Sequence, residues 1–266
     1  MDDQQFRQLL DVFGLSWEGY RKVRKGVKKR IRRQMQELRC QSMESYLTFL
    51  DQDQDMRLKC ERLLTVSISR FFRDRVLWYT LENQILPSMV RKNRERVKIW
   101  SAGCACGEEV YSFRIMWEGL RLTFESLPKL QVLATDMNPN YLDRAGSGVY
   151  PRSSLREVPE KIRSVYFQPQ KGGRHYVVEP ILKKDILWKI HSLFSEPMEH
   201  DFHLVFLRNN LLTYYQERLV VPALRKIVDS LIPGGFLIIG SHESLPSDAF
   251  NLIPVGGLPY LSQREN

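Results

Sequence analysis

Glu108 and Glu109 stand directly behind a loop of small residues, Ser101-Ala102-Gly103-Cys104-Ala105-Cys106-Gly107. A short apolar run (Val97, Ile99, Trp100) precedes the loop, and apolar residues at Val110, Phe113, Ile115, Met116 and Leu120 follow the acids at helical spacing. A buried strand that ends in residues without bulk and turns into a helix is the opening unit of a nucleotide-type site. Small side chains let the backbone approach a ligand closely. Two acids in the first helical turn are stabilised by the macrodipole, at the place where a phosphate would otherwise bind. Pyrophosphate is repelled there; a cationic ligand without phosphate is not. The same composition also makes tight strand-to-helix turns with no ligand at all.

A further acid, Asp136, closes the apolar run Leu130-Gln131-Val132-Leu133-Ala134-Thr135. At the end of a second strand it is placed to accept two ribose hydroxyls; its plainer reading is the N-cap of a helix beginning near Pro139. In this order the two pieces point to an adenosine-containing cofactor that is not a dinucleotide, and S-adenosylmethionine satisfies the charge argument. Arg73 ends the run Thr65-Val66-Ser67-Ile68-Ser69-Arg70-Phe71-Phe72-Arg73. Two buried rings before it would hold it in a fixed position near the site, although the rings also read as plain core and Ser69 as an N-cap. Cys40, Cys60, Cys104 and Cys106 have the spacing of neither a disulfide framework nor a zinc site, so no metal is expected. His242 follows a strand pattern, has no paired nucleophile, and reads as structural.

These residues need a scaffold, and the patterns supply one. Residues 1–90 read as a small helical domain and 91–266 as an α/β domain. Phe6, Leu9, Leu10 and Phe13 make one apolar face; Tyr20, Val23, Val27, Ile31, Met35 and Leu38 make another. In the second part the pattern predicts strands ending at Asp185-Ile186-Leu187, over Phe202–Asn209 and over Phe236–Gly240, and a last strand at Pro259-Tyr260-Leu261. A hairpin-like insert is expected over 160–184, with Val165-Tyr166-Phe167 as one arm and Tyr176-Val177-Val178 as the other. Pro233-Gly234-Gly235 is expected to stop a helix over Arg218–Leu231.

The chain of 266 residues is 43% hydrophobic and 27% charged, ordinary for a soluble globular protein. No apolar run approaches the roughly 20 residues that cross a bilayer, and the first residues lack the pattern of a signal peptide, so a cytoplasmic location is expected. The net charge of +9 is concentrated: Arg21, Lys22, Arg24, Lys25, Lys28, Lys29, Arg30, Arg32 and Arg33 follow one another without an intervening acid. They form the wet side of an amphipathic helix, which is either a solvated face or a dock for an acidic partner. Nucleic acid is the weaker reading, because no aromatic platform is interleaved with the cations.

Six motifs fall in an order that resembles the CheR family of chemoreceptor glutamate methyltransferases. They are Ser69–Arg73, Ser101 to Ser112, Ala134-Thr135-Asp136, Gly146–Tyr150, Leu207-Arg208-Asn209 and Gly240–Glu243. The resemblance covers nearly the whole chain. It implies a Rossmann-like S-adenosylmethionine-dependent methyltransferase sheet behind a small all-helical N-terminal domain, with a reduced β-subdomain over 150–184. It implies S-adenosylmethionine as cofactor, S-adenosylhomocysteine as product, and methyl transfer to glutamates of chemoreceptor cytoplasmic helices; from its one-sided charge, the Arg21–Arg33 face is where that acceptor is expected to dock. By position it places Ser67, Ser69, Arg73, Gly103, Glu108, Glu109, Asp136, Asp185, Ile186, Leu207 and Arg208 around the cofactor. Glu109 would lie near the methionine end, Asp136 at the ribose, and Asp185 with Ile186 at the adenine. Arg73 and Tyr214 would be the catalytic residues. Two departures stand out: Ser67 occupies a position commonly held by asparagine, and the run from Arg208 to Tyr214 is one residue longer than usual. The alternative is a module on the same fold that binds the cofactor or nucleic acid without transferring methyl groups.

Overall fold

The computed structural model describes residues 1–67, 69–246 and 250–265; Ile68 of the Thr65–Arg73 run lies outside them. The chain forms two compact units, one of residues 1–67 with 209–221 and one of 68–208 with 222–266.

The first unit is helical: α1 (Asp3–Val12), α2 (Trp17–Tyr20), α3 (Arg24–Glu37), α4 (Met43–Gln52) and α5 (Gln54–Leu64). Local chemistry starts three of these helices. Asp2 accepts from the Gln5 amide in a capping box, Ser42 does the same with Ser45, and Asp53 accepts from Met56. Phe6, Leu9, Leu10, Tyr20, Val27, Ile31, Tyr46 and Leu50 form the core. The basic face of α3 differs from expectation. Lys28 is buried on Asp3 and lies 5.7 Å from the Phe6 ring centroid; Arg30 donates to the carbonyls of Leu63 and Thr65, and Arg32 to that of Met1. Lys25, Lys29 and Arg33 remain exposed.

The second unit opens with α6 (Arg75–Thr80), a π-helical turn (Leu81–Ile85) and α7 (Leu86–Lys92), which pack into the core of the α/β sheet. The expected boundary at residue 90 therefore moves to Ser67. Leu77, Trp78, Leu81, Ile85 and Leu86 share a core with Ile99, Val132 and Phe206, and helical periodicity says nothing about which core a helix joins. Then follow β1 (Arg96–Ala102), α8 (Glu108–Gly119), β2 (Lys129–Asp136), α9 (Pro139–Ser147), β3 (Val149–Pro151), α10 (Glu160–Tyr166), β4 (Phe167–Pro169), β5 (His175–Val178), β6 (Ile186–Ile190) and β7 (Phe202–Leu207). The short α11 (Leu211–Tyr214) belongs to the first unit; α12 (Glu217–Asp229), β8 (Leu231–Ile239), β9 (Leu252–Val255) and β10 (Leu258–Arg264) complete the chain.

Seven strands form one sheet in the order β6-β2-β1-β7-β8-β10-β9. The first five are parallel, and β10 runs antiparallel to both its neighbours. Chain order reverses between β1 and β7, the switch point at which open α/β sheets place their ligands. Three expectations are corrected. Ile186 and Leu187, directly after Asp185, begin β6 instead of ending a strand. Pro233-Gly234-Gly235 lies inside β8, because α12 already ends at Asp229. The insert is a three-stranded antiparallel sheet in the order β3-β5-β4, with Val165 and Tyr166 in α10.

Candidate active site

The carboxyl ends of β1 and β2 are tied to one another before any ligand arrives. The amides of Gly103 and Cys104 both donate to the Thr135 carbonyl, at 2.9 and 2.8 Å. Asp136 takes the Ala105 amide on Oδ2 (3.0 Å) and the Asn138 amide on Oδ1 (2.9 Å). Gly103 and Gly107 adopt positive φ, and α8 starts directly behind Gly107. A side chain at Gly107 would collide with Ala145 Cβ at 2.9 Å, so the turn admits nothing larger. Burial raises the Asp136 carboxyl above its ordinary value, opposed by its backbone hydrogen bonds. Three backbone amides, those of Ala105, Met137 and Asn138, act on this carboxyl, which leaves part of the acceptor capacity of its two oxygens.

The two acids behind the loop have opposite surroundings. Glu109 Oε1 accepts from Ser101 Oγ at 2.8 Å and its Oε2 from Arg208 Nη1 at 3.0 Å. Glu108 is buried, hydrogen-bonded to the hydroxyls of Ser69 and Ser154, and its Oε2 has no partner among the described residues. Burial pushes its carboxyl up.

Arg208, directly after β7, is the hub. Its side chain is 5% exposed and holds Glu109 on one nitrogen and Asp74 on the other; it also donates to the Arg73 carbonyl at 3.3 Å. The segment Phe71–Asp74 is thereby pinned. The Phe71 amide donates to the Ser154 carbonyl (3.1 Å), the Phe72 amide to Ser112 Oγ (2.9 Å), and the Trp78 indole to the Arg73 carbonyl (2.6 Å). Phe71 meets Tyr150 and Phe167 edge-on at 4.8 and 4.9 Å, while Phe72 turns to Trp78 at 5.7 Å. Phe72 and Asp74 are both left-handed, at φ of 51° and 65°. Such backbone costs about 1–3 kcal/mol per residue and persists where the surroundings over-determine it. Arg73 is thus presented between two strained residues, with its carbonyl held by two donors.

Glu108, Glu109, Asp136, Gly103, Leu207 and Arg208 all gather at this end of the sheet, with Ser69 and Arg73 on the pinned segment. Ser67 and Tyr214 belong to the first unit, where Tyr214 packs edge-on against Tyr20 at 5.1 Å and accepts from the Ser16 amide. Asp185 and Ile186 are not brought to Asp136. In the parallel register Ile186 is level with Val132, and Asp136 is level with Ile190, a separation of about 13 Å along the strand. Asp185 is exposed and lines a groove with Lys98, Lys129 and Glu199 at the amino end of the sheet. The place beside Asp136 falls to His191, whose amide donates to the Asp136 carbonyl at 3.1 Å. Its ring lies 6.0 Å from Trp100, and its buried Nε2 has no partner among the described residues. Burial lowers its pKa, favouring the neutral ring.

The SAM-binding domain of the CheR methyltransferases, as a family, matches residues 67–256. The chain belongs to the CheR family. A chemotaxis protein methyltransferase of Listeria monocytogenes is 35% identical over 190 residues, 70% of this chain and 69% of that one. One from Borreliella burgdorferi is 30% identical, over 75% of this chain and 73% of the relative. A TehB-like SAM-dependent methyltransferase of known structure from Corynebacterium glutamicum is 18% identical, covering 68% of this chain and 84% of its own, with a TM-score of 0.38.

The cofactor of this CheR-family domain is S-adenosylmethionine, and the residues fit it. Asp136 keeps acceptor capacity for ribose hydroxyls, and Asp74 and Glu109 outnumber the single Arg208 that joins them, which favours a ligand carrying positive charge. The His191 Nε2, without a partner among the described residues, is a polar atom that an adenine edge could satisfy. Apolar patterning does not reach His191, because the expected strand ends at Leu187; its signal is a place one residue beyond a strand paired with β2. Tyr260 lies on β10, in the expected last strand. It lies within electrostatic reach of Asp74 and Arg208, and burial raises its phenol pKa.

Proposed function

We propose that this chain transfers the methyl group of S-adenosylmethionine to glutamate side-chain carboxylates of an acidic, helical signalling protein of the chemoreceptor type. The observation that carries the reading is Arg73, set on a strained and pinned segment beside an acidic, partly buried cofactor site. The chemotaxis protein methyltransferases among its relatives support methyl transfer within chemotaxis.

The cofactor supplies an electrophilic methyl group on a sulfonium. A glutamate is already ionised at neutral pH, so no general base is needed. The Cys104 thiol of the loop is a poor nucleophile, since burial pushes its pKa up and keeps it protonated. The chain contributes alignment and exclusion of water. Asp136 accepts the ribose hydroxyls, and Asp74 and Glu109 around Arg208 favour a positively charged ligand over a neutral product. Arg73 holds the acceptor carboxylate in line. Lys25, Lys29 and Arg33 on α3 face water and attract acidic stretches of the acceptor, mainly raising the association rate.

Wild-type protein is incubated with methyl-labelled cofactor and a soluble chemoreceptor cytoplasmic fragment. The label should leave as methanol in mild base, as a carboxyl ester does. Arg73→Ala should lower turnover by about a hundredfold or more while cofactor affinity changes little. Label that survives base would replace the reading with N- or O-alkyl transfer.

A further inference from the structure

Two large apolar side chains on α6 face water beside the site. Val76 is 60% and Tyr79 66% exposed, while Leu77, Trp78 and Thr80 of the same helix are buried. They stand three residues apart, hence on one face. The helix begins directly after Asp74, so this pair adjoins the segment that presents Arg73.

The pair is bordered by positive charge. Arg75 and Arg70 share the single carboxylate of Glu157, at 2.7 and 3.8 Å. Arg152 and Arg156 are exposed in the stretch around Ser154, whose carbonyl holds Phe71. Four guanidiniums thus lie on the two segments joined by the Phe71–Ser154 hydrogen bond, one of which carries Arg73.

We propose that Val76 and Tyr79, with Arg70, Arg75, Arg152 and Arg156 as a rim, are the docking strip for the stretch of acceptor that flanks the methylated glutamate. The inference rests on the carboxyl-methylation reading. The occupant is an acidic amphipathic helix. Its apolar side lies along the i, i+3 ridge of α6, and its carboxylates reach the rim. A second copy of this chain suits the strip poorly, since an isologous contact would set the same cations against one another. The α6 strip adds apolar contact next to the reacting carboxylate and so fixes which glutamate is presented.

Methylation of a chemoreceptor cytoplasmic fragment is followed against fragment concentration for wild type, for Val76→Ser with Tyr79→Ser, and for Arg75→Glu with Arg156→Glu. Both double variants should raise the KM for the fragment about tenfold or more, with the dissociation constant for S-adenosylmethionine and the melting temperature unchanged. The charge variant should lose its defect in high salt, and the apolar one should keep it. Unchanged KM in both variants, with base-labile labelling intact, overturns the docking strip alone. Absence of base-labile labelling by the wild type overturns the carboxyl-methylation reading and the strip with it. A change confined to self-association, read by sedimentation, makes the strip a contact between copies and likewise overturns the proposal.

Discussion

Arginines crowd α3 and a single arginine, Arg208, sits behind β7, and the two places use the same guanidinium in opposite ways. On α3 most of the charge stays in water, where it is screened within about 10 Å and an individual pair contributes little. Such charges act at a distance, by steering. Arg208 has left water, and each of its Nη nitrogens is committed to a carboxylate. Removed from solvent, a charge is costly unless partnered, and partnered it fixes geometry. Here that geometry is the relation between Glu109 on α8 and the carbonyl of Arg73. The basic block drew attention in the sequence by its number; the cation that organises the site is solitary.

The contrast can be tested from both sides. Arg208→Met leaves Asp74 and Glu109 facing each other without a counter-charge, and removing one member of a buried pair costs about 3–5 kcal/mol. We expect a lower melting temperature together with loss of methyl transfer; Arg208→Lys should recover stability in part and activity hardly at all, since one ammonium cannot span both carboxylates. A fully active Arg208→Lys enzyme would show that the fork geometry is dispensable. On α3 the expected effect is smaller and of another kind. Reversing Lys25, Lys29 and Arg33 to Glu should raise the KM for the acceptor several-fold at low salt, an effect that fades in high salt and leaves thermal stability nearly unchanged. Lys28→Glu should instead lower the melting temperature, because Lys28 is buried on Asp3 and holds that carboxyl below its ordinary value.

The smallest effect concerns Glu108. Its folded-state pKa is raised by burial, so the wild type loses stability as pH rises from its ordinary value of 4.5 through the raised one, and regains it on acidification. Glu108→Gln removes a group that resists ionisation. The variant should therefore melt above wild type at pH 8, with the difference shrinking toward zero below about pH 4.5, where both states are protonated. A difference independent of pH would assign Glu108 a purely steric role.

Much of this site could be read from the chain alone, and the parts that could not share a cause. The β1 loop, Asp136 and Arg208 were legible because each follows a run of buried strand residues, and such runs point their carboxyl ends at the ligand. His191 was not, because β6 is an edge strand with Leu187, Lys189 and Ile190 exposed, and an exposed strand shows no apolar run whose end can be found. The burial of Lys28 depends on Asp3 and Phe6, far away in the chain. The assignment of α6 and α7 to the sheet depends on which core receives Leu77 and Trp78. Periodicity identifies the face a helix buries and is silent on the surface that receives it.

The first unit is assembled from two stretches of chain, and this has a consequence for the order of events during synthesis. Leu15 bridges to Tyr215, the Gln216 amide donates to Gly14, and Tyr214 covers Tyr20. Helices α1 to α5 leave the ribosome first, yet their last partners, residues 209–221, emerge only after the whole of 68–208 has been made. The amino-terminal unit is therefore translated early and completed late. Until then the early helices present an uncovered apolar seam at Tyr20, so a nascent chain halted before residue 209 leaves this unit without its last partners.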